Sequence, residues 1–60
     1  MCEFSVYLDE KKVFEDAIFC RVSNGKLLLK DILGQTKEFA NCYIVEVDVT
    51  KEKLMLKHDL

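Results

Sequence analysis

The chain has 60 residues, half of them apolar and a third charged, and it contains no proline. This length predicts one domain over residues 1–60, and the mixture of apolar and charged residues excludes a disordered chain and a membrane span, which needs about 20 consecutive apolar residues. A formal net charge of −2 gives no indication of a polyanionic partner.

The first half of the chain predicts three strands and one tight hairpin. Apolar and polar residues alternate from Cys2 to Leu8 and again from Ile18 to Val22, with the period of two that indicates half-buried strands. Asn24-Gly25 follows and predicts a type I′ turn, because both central positions of that turn need positive φ. Lys26 to Ile32 returns as the third strand. The charged segment Asp9 to Asp16 is compatible with one helical turn or with an extended edge, since it is too short for a stable helix.

The second half continues the same pattern. Gly34 suits a tight loop, and Gln35 to Phe39 predicts a weaker strand. Alternation is clearest from Tyr43 to Val49, and a turn at Lys51-Glu52 leads into a last strand around Leu54 to Lys57. Five or six short strands with short loops predict an all-β fold, an antiparallel meander closed into a small SH3-like or Sm-like barrel.

Catalytic residues are sparse. His58 is the only histidine, and its position near the end of the chain predicts a solvated tail rather than a partner for a cysteine. The carboxylates mostly alternate outward, and two glycines are too few for a phosphate-binding loop. We therefore expect no enzymatic activity.

RNA binding is the alternative function. Lys26, Lys30, Lys53 and Lys57 predict a basic stripe on the outward faces of two strands, as small barrels that bind RNA have. Stacking would also require exposed Tyr7 or Phe19, and the net charge is acidic. We therefore rank RNA binding below the metal chemistry described next.

The cysteines point to a reducing compartment. Any single disulfide would leave one of the three cysteines, Cys2, Cys20 or Cys42, unpaired, and no two of them form a CxxC pair. Free thiols and the absence of an N-terminal basic and apolar leader predict a cytoplasmic protein. Cys20 alternates with the core face, and we interpret Cys20 and Cys42 as packing thiols.

Cys2 is the candidate metal ligand. If Met1 is retained, its amine, the Cys2 amide nitrogen and the Cys2 sulfur form two fused five-membered chelate rings. If Met1 is removed, the new Cys2 amine and the sulfur form one ring. These donors suit square-planar Ni(II) or Cu(II), whereas Zn(II) prefers four tetrahedral ligands, which one chain end does not supply.

Several segments together resemble a known family. Met1-Cys2-Glu3 running into Val6-Tyr7-Leu8, the turn Asp31-Ile32-Leu33-Gly34 and the closing Lys53-Leu54-Met55-Leu56 are similar to the CooT family, over nearly the whole chain. CooT proteins are small cytoplasmic nickel-binding accessory proteins associated with the maturation of carbon monoxide dehydrogenase.

The resemblance implies a small β-barrel that forms a homodimer and binds Ni(II) through the cysteine after the initiator methionine, here Cys2. Two chain ends that meet at a two-fold axis would supply two donors each. The expected partners are therefore a second copy of the chain and a nickel enzyme of the carbon monoxide dehydrogenase type. Family members have also been described as predicted RNA-binding proteins, which agrees with the alternative above.

Overall fold

The computed structural model describes residues 2–59, which form six strands. The strands are β1 (Phe4–Leu8), β2 (Lys11–Ser23), β3 (Lys26–Asp31), β4 (Thr36–Ala40), β5 (Cys42–Asp48) and β6 (Lys53–His58). The all-β class is confirmed, and the charged segment that follows β1 makes a turn at Asp9 and Glu10 and is in β2 from Lys11 onward. No helix capable of crossing a membrane occurs within this part of the chain.

The strands form one mixed sheet in the order β4-β3-β2-β1-β6-β5. Strands β1 to β4 make an antiparallel meander, and β5 and β6 make an antiparallel hairpin. The hairpin joins the meander through β6, which pairs with β1 in parallel. The prediction of a purely antiparallel meander is therefore wrong at this pair, because alternation within a strand does not encode which distant strand lies beside it.

The sheet is not closed into a barrel. β4 and β5 stand at its two ends, and no ladder joins them within residues 2–59. A single residue, Asn41 at a φ of 56°, separates β4 from β5, so the two end strands meet at this corner and diverge from it. The predicted SH3-like or Sm-like barrel is not confirmed, and one side of the curled sheet is left open.

Tight turns and a bulge shape the sheet. Asn24 and Gly25 have φ values of 52° and 75°, which confirms the predicted hairpin between β2 and β3. The β1–β2 turn also has positive φ at two positions but no glycine, with φ values of 50° at Asp9 and 69° at Glu10. Asp16 is also at positive φ, and the register of β2 shifts beside it. This irregularity bends the long strand, so that its first half pairs with β1 and its second half with β3.

The core lies on the concave face of the sheet. Six hydrophobic side chains are buried there, namely Val6, Ala17, Leu27, Leu29, Leu54 and Leu56. Alternate positions of β1, β3 and β6 supply most of them, as the period of two requires. No polar or charged residue is buried within residues 2–59. The small core therefore leaves other apolar residues on the same face without cover.

Candidate metal site

Cys2 lies two residues before β1, and its side chain is exposed. The start of β1 is held on two sides, because Phe4 lies opposite Ala17 and the Ser5 N–H donates to the Glu52 carbonyl at 2.9 Å. The sheet thus anchors the chain close to the thiol and leaves the thiol accessible to a metal ion. The amine of Met1, a second predicted donor, lies outside the described residues.

Cys2 lacks neighbouring side-chain ligands in one copy of the chain. Between residues 2 and 59, no three side chains of histidine, cysteine, aspartate or glutamate lie close enough together to hold a metal ion. A site built only from side chains of one copy is therefore not formed in this region. A thiolate ligand such as Cys2 needs further donors to complete a square-planar or tetrahedral shell.

The two other cysteines lie on the concave face. Cys42 is half-buried and packs against the core, which confirms its interpretation as a packing thiol. Cys20 lies opposite Leu29 but is exposed, so the same interpretation is wrong for Cys20. Its neighbours still partly desolvate it: burial, and secondarily the Cys42 thiol, raises the pKa of Cys20. Burial, and secondarily Asp9, raises the pKa of Cys42. Because a metal binds the thiolate, both residues are poorer ligands at neutral pH than unperturbed thiols.

His58 is part of a polar pair rather than of a frayed tail. It is the last residue of β6, and its Nδ1 lies 2.6 Å from Asp9 Oδ2, while its backbone N–H donates to Asp9 Oδ1 at 3.2 Å. The hydrogen bond from the His58 side chain is the main cause that lowers the pKa of Asp9. The prediction that His58 lies in a solvated tail without a partner is therefore wrong, although the side chains of His58 and Asp9 remain exposed. The sequence did not reveal this pair, because its two members lie 49 positions apart in the chain.

An apolar groove opens on the concave face of the sheet. Its volume is about 240 Å³, and the residues that define it come from β1, β2, β5 and β6. Among the residues that line this concave groove are Phe4, Ile18, Cys20, Val22, Ile44 and Val47. Most of these side chains are exposed, and none is charged. Phe4, one of the lining residues, is two positions after Cys2 in the chain.

The opposite, convex face carries aromatic and basic side chains. Arg21 Cζ and Lys30 Nζ each lie 5.1 Å from the centre of the Phe19 ring, and Lys53 Nζ lies 5.5 Å from the centre of the Tyr7 ring. These distances are within the range of cation–π interactions. Both rings are half-buried, and the cations cover part of the ring surface that is still exposed.

The fold and the exposed Cys2 describe a small all-β protein with a candidate metal ligand at its N-terminal end. A family model described as CO dehydrogenase accessory protein CooT matches residues 1–57, essentially the whole chain. The chain therefore belongs to the CooT family, and the resemblance stated from its sequence is confirmed. No curated protein matches it.

Proposed function

We propose that this protein is a cytoplasmic Ni(II)-binding accessory protein for a nickel enzyme of the carbon monoxide dehydrogenase type, without catalytic activity of its own. Membership of a family of CO dehydrogenase accessory proteins supports this role. The observation that carries the metal assignment is the exposed Cys2 thiol at the edge of an anchored strand. Nickel is cargo in this role, so an accessible, incompletely surrounded site suits both loading and release.

The donor set follows from the chemistry of the chain end. The Cys2 thiolate, the Cys2 amide nitrogen and a terminal amine form small chelate rings and match the preference of Ni(II) for a square-planar shell. The body of one copy offers no cluster of three ligand side chains between residues 2 and 59. The remaining donors therefore come from the chain end itself and from the Cys2 end of a second copy. We propose a homodimer that holds one Ni(II) between two chain ends.

A nickel titration of the untagged protein tests this proposal. Thiolate-to-nickel charge-transfer absorbance should rise and saturate at about one Ni(II) per two chains, as expected for a site shared across a two-fold axis. Cys2→Ser should abolish the band, because a hydroxyl is a poor ligand for Ni(II) at neutral pH. The affinity should fall as the pH falls, since protons compete for the thiolate and the amine.

Cys20→Ser is the matched control, because Cys20 is also an exposed thiol. Its affinity for Ni(II) should equal that of the wild type, as should that of Cys42→Ser. A peptide tag placed before Met1 should weaken binding strongly, because it moves the terminal amine out of chelating distance. If the band survived in Cys2→Ser and were lost in Cys20→Ser or Cys42→Ser, the proposal would have assigned Ni(II) to the wrong cysteine.

A second candidate function, that of a small barrel-like RNA-binding protein, is favoured by the convex face. Phe19 and Tyr7 lie there beside Arg21, Lys30 and Lys53, and aromatic rings among cations are what single-stranded RNA requires. We rank this function second, because a net charge of −2 disfavours binding to the RNA polyanion and because the cations already cover ring faces on which bases would stack. Fluorescence anisotropy with single-stranded RNA should detect only weak binding at physiological salt. A sub-micromolar complex that weakens steeply with added salt would reverse this ranking.

A further inference from the structure

We infer that the convex side of the β2–β3 hairpin is a docking surface for an acidic segment of a partner protein, one in which carboxylates alternate with apolar side chains. The inference rests on the proposed function, since this partner is the enzyme that an accessory protein serves, and it adds the surface that the enzyme contacts. We call this surface the basic patch, and it consists of Phe19, Arg21, Lys26, Leu28 and Lys30.

The strand register gathers three cations on one face. Alternate pairs of the β2–β3 ladder form the basic patch, namely Phe19–Lys30, Arg21–Leu28 and Ser23–Lys26. Leu27 and Leu29, which lie between them on β3, are buried on the concave face, so these pairs point to the convex face. Diagonal neighbours on one face of a ladder are about 7–8 Å apart, so the three cations share a small area and repel one another.

The charge of the basic patch is not compensated within one copy. Lys26 has only a loose ion pair with Glu38, at 4.0 Å. Arg21 and Lys30 have no carboxylate within 4.0 Å among residues 2–59. Three cations against the single carboxylate of Glu38 give this area a formal charge of +2, although the whole chain has a formal charge of −2. An acidic partner would supply the missing counter-charges.

The Phe19 ring favours carboxylates over nucleic-acid bases as the ligands of the basic patch. Arg21 Cζ and Lys30 Nζ each lie 5.1 Å from the ring centre, so both cations are held against the ring. A base would have to displace them in order to stack there. A carboxylate needs only the charged groups, and the Arg21 side chain remains exposed to receive it.

An open pocket in this face has donors for a carboxylate. Its volume is about 340 Å³, and it is lined by Arg21, Ser23, Asn24, Lys26, Leu28 and Glu38. Two cations, a hydroxyl and an amide can donate hydrogen bonds to a carboxylate, and Leu28 offers an apolar contact beside them. Glu38 is the acidic residue of the lining, and its charge weakens the attraction of the pocket for an anion.

The basic patch lies at the end of the sheet that carries the candidate metal ligand. β1 begins at Phe4, opposite Ala17, and the antiparallel β2 continues from Ala17 past this point to the basic patch. Cys2 precedes Phe4 in the chain, so the basic patch and the start of β1 share one end of the sheet. An enzyme docked on the basic patch is therefore held at the end of the molecule where we propose that nickel binds.

Fluorescence anisotropy with a labelled peptide of alternating glutamate and leucine tests the basic patch. The peptide should bind the wild type saturably at low salt and more weakly as salt screens the charges. Arg21→Ala and Lys30→Ala should each raise the Kd roughly tenfold, because each removes a contact between opposite charges. Glu38→Gln should lower the Kd about two- to fivefold, because it removes a repulsion between exposed charges.

Lys37→Ala is the matched control for Lys30→Ala. Lys37 Nζ also lies beside an aromatic ring, 5.3 Å from the centre of Phe39, but Lys37 is opposite Leu29 and so belongs to the concave side. Its Kd for the peptide should equal that of the wild type. A peptide with glutamine in place of glutamate should not bind, and circular dichroism verifies that each variant folds.

Three results would overturn the inference: no saturable binding of the acidic peptide, an equal loss of affinity in Lys37→Ala and Lys30→Ala, or tighter binding of single-stranded RNA than of the peptide. Such a failure is distinct from failure of the nickel proposal. Arg21→Ala should bind Ni(II) as the wild type does, whereas failure of the nickel proposal would appear as unchanged Ni(II) binding in Cys2→Ser.

Discussion

Gly25→Val should destabilise the fold through backbone conformation alone. Gly25 has a φ of 75°, and a Cβ built at this position meets no atom within 4 Å, so no steric clash contributes. The left-handed conformation costs an ordinary residue about 1–2 kcal/mol, and a β-branched side chain lies at the upper end. Reduced freedom of the unfolded chain offsets about 0.4–1 kcal/mol. The net loss should be about 1 kcal/mol.

Urea unfolding followed by circular dichroism measures this loss. With a slope of about 1 kcal/mol per molar urea for so small a domain, the midpoint should fall by roughly 1 M at constant protein concentration. Gly25→Asn is the control, because asparagine tolerates the left-handed region and should lose less than half as much. A midpoint that is unchanged in Gly25→Val, or equally lowered in both variants, would refute the assignment of the cost to φ.

Two further predictions concern the pH dependence and the core. In the folded state, the hydrogen bond from His58 lowers the pKa of Asp9 below its usual value of 3.8. The Asp9–His58 pair therefore stabilises the fold at a pH above 3.8, and this stabilisation is lost as the pH falls through the pKa of the folded state. Between about pH 5 and pH 3, the urea midpoint of the wild type should therefore fall more than that of Asp9→Asn; parallel curves would contradict this. Leu29→Ala, at a fully buried position, should lower the free energy of unfolding measured in urea by about 2–5 kcal/mol. Leu28→Ala, on the convex face, should lower it by less. Equal losses in the two variants would contradict the faces assigned to these residues.

Local patterns predicted the strands because their causes are local. Alternation placed all six strands to within a few residues, except that β2 extends back to Lys11. Asn24-Gly25 gave the hairpin because glycine and asparagine tolerate positive φ. The turn at Asp9 and Glu10 also has positive φ at both positions; aspartate tolerates it, but glutamate does not favour it, so the local signal for this turn was weak. There the pairing of β1 with β2, and not the turn residues, sets the conformation.

The features that the sequence did not predict depend on pairing between strands that are distant in the chain. The parallel ladder of β1 with β6 places β6 between β1 and β5, and this insertion leaves β5 at the end of an open sheet. It also brings the end of β6 beside the β1–β2 turn, where His58 meets Asp9. Cys20 was assigned to the correct face, but it lines the open concave groove and is exposed there. Periodicity identifies the face of a residue and leaves open what covers it.

The apolar content of the chain supports association independently of the metal. Half of the 60 residues are apolar, yet only six hydrophobic residues are buried among residues 2–59. A domain of this size hides only about 60% of the surface that its unfolded chain exposes, so its core contributes modest stability. Association of two copies, as the proposed function requires, would cover apolar side chains that one copy leaves in water, and each covered aliphatic side chain would contribute favourably in proportion to its buried area. The proposed homodimer, if stabilised in this way, would form before Ni(II) binds, and binding the ion would then require only that two chain ends already held close together reorganise around it.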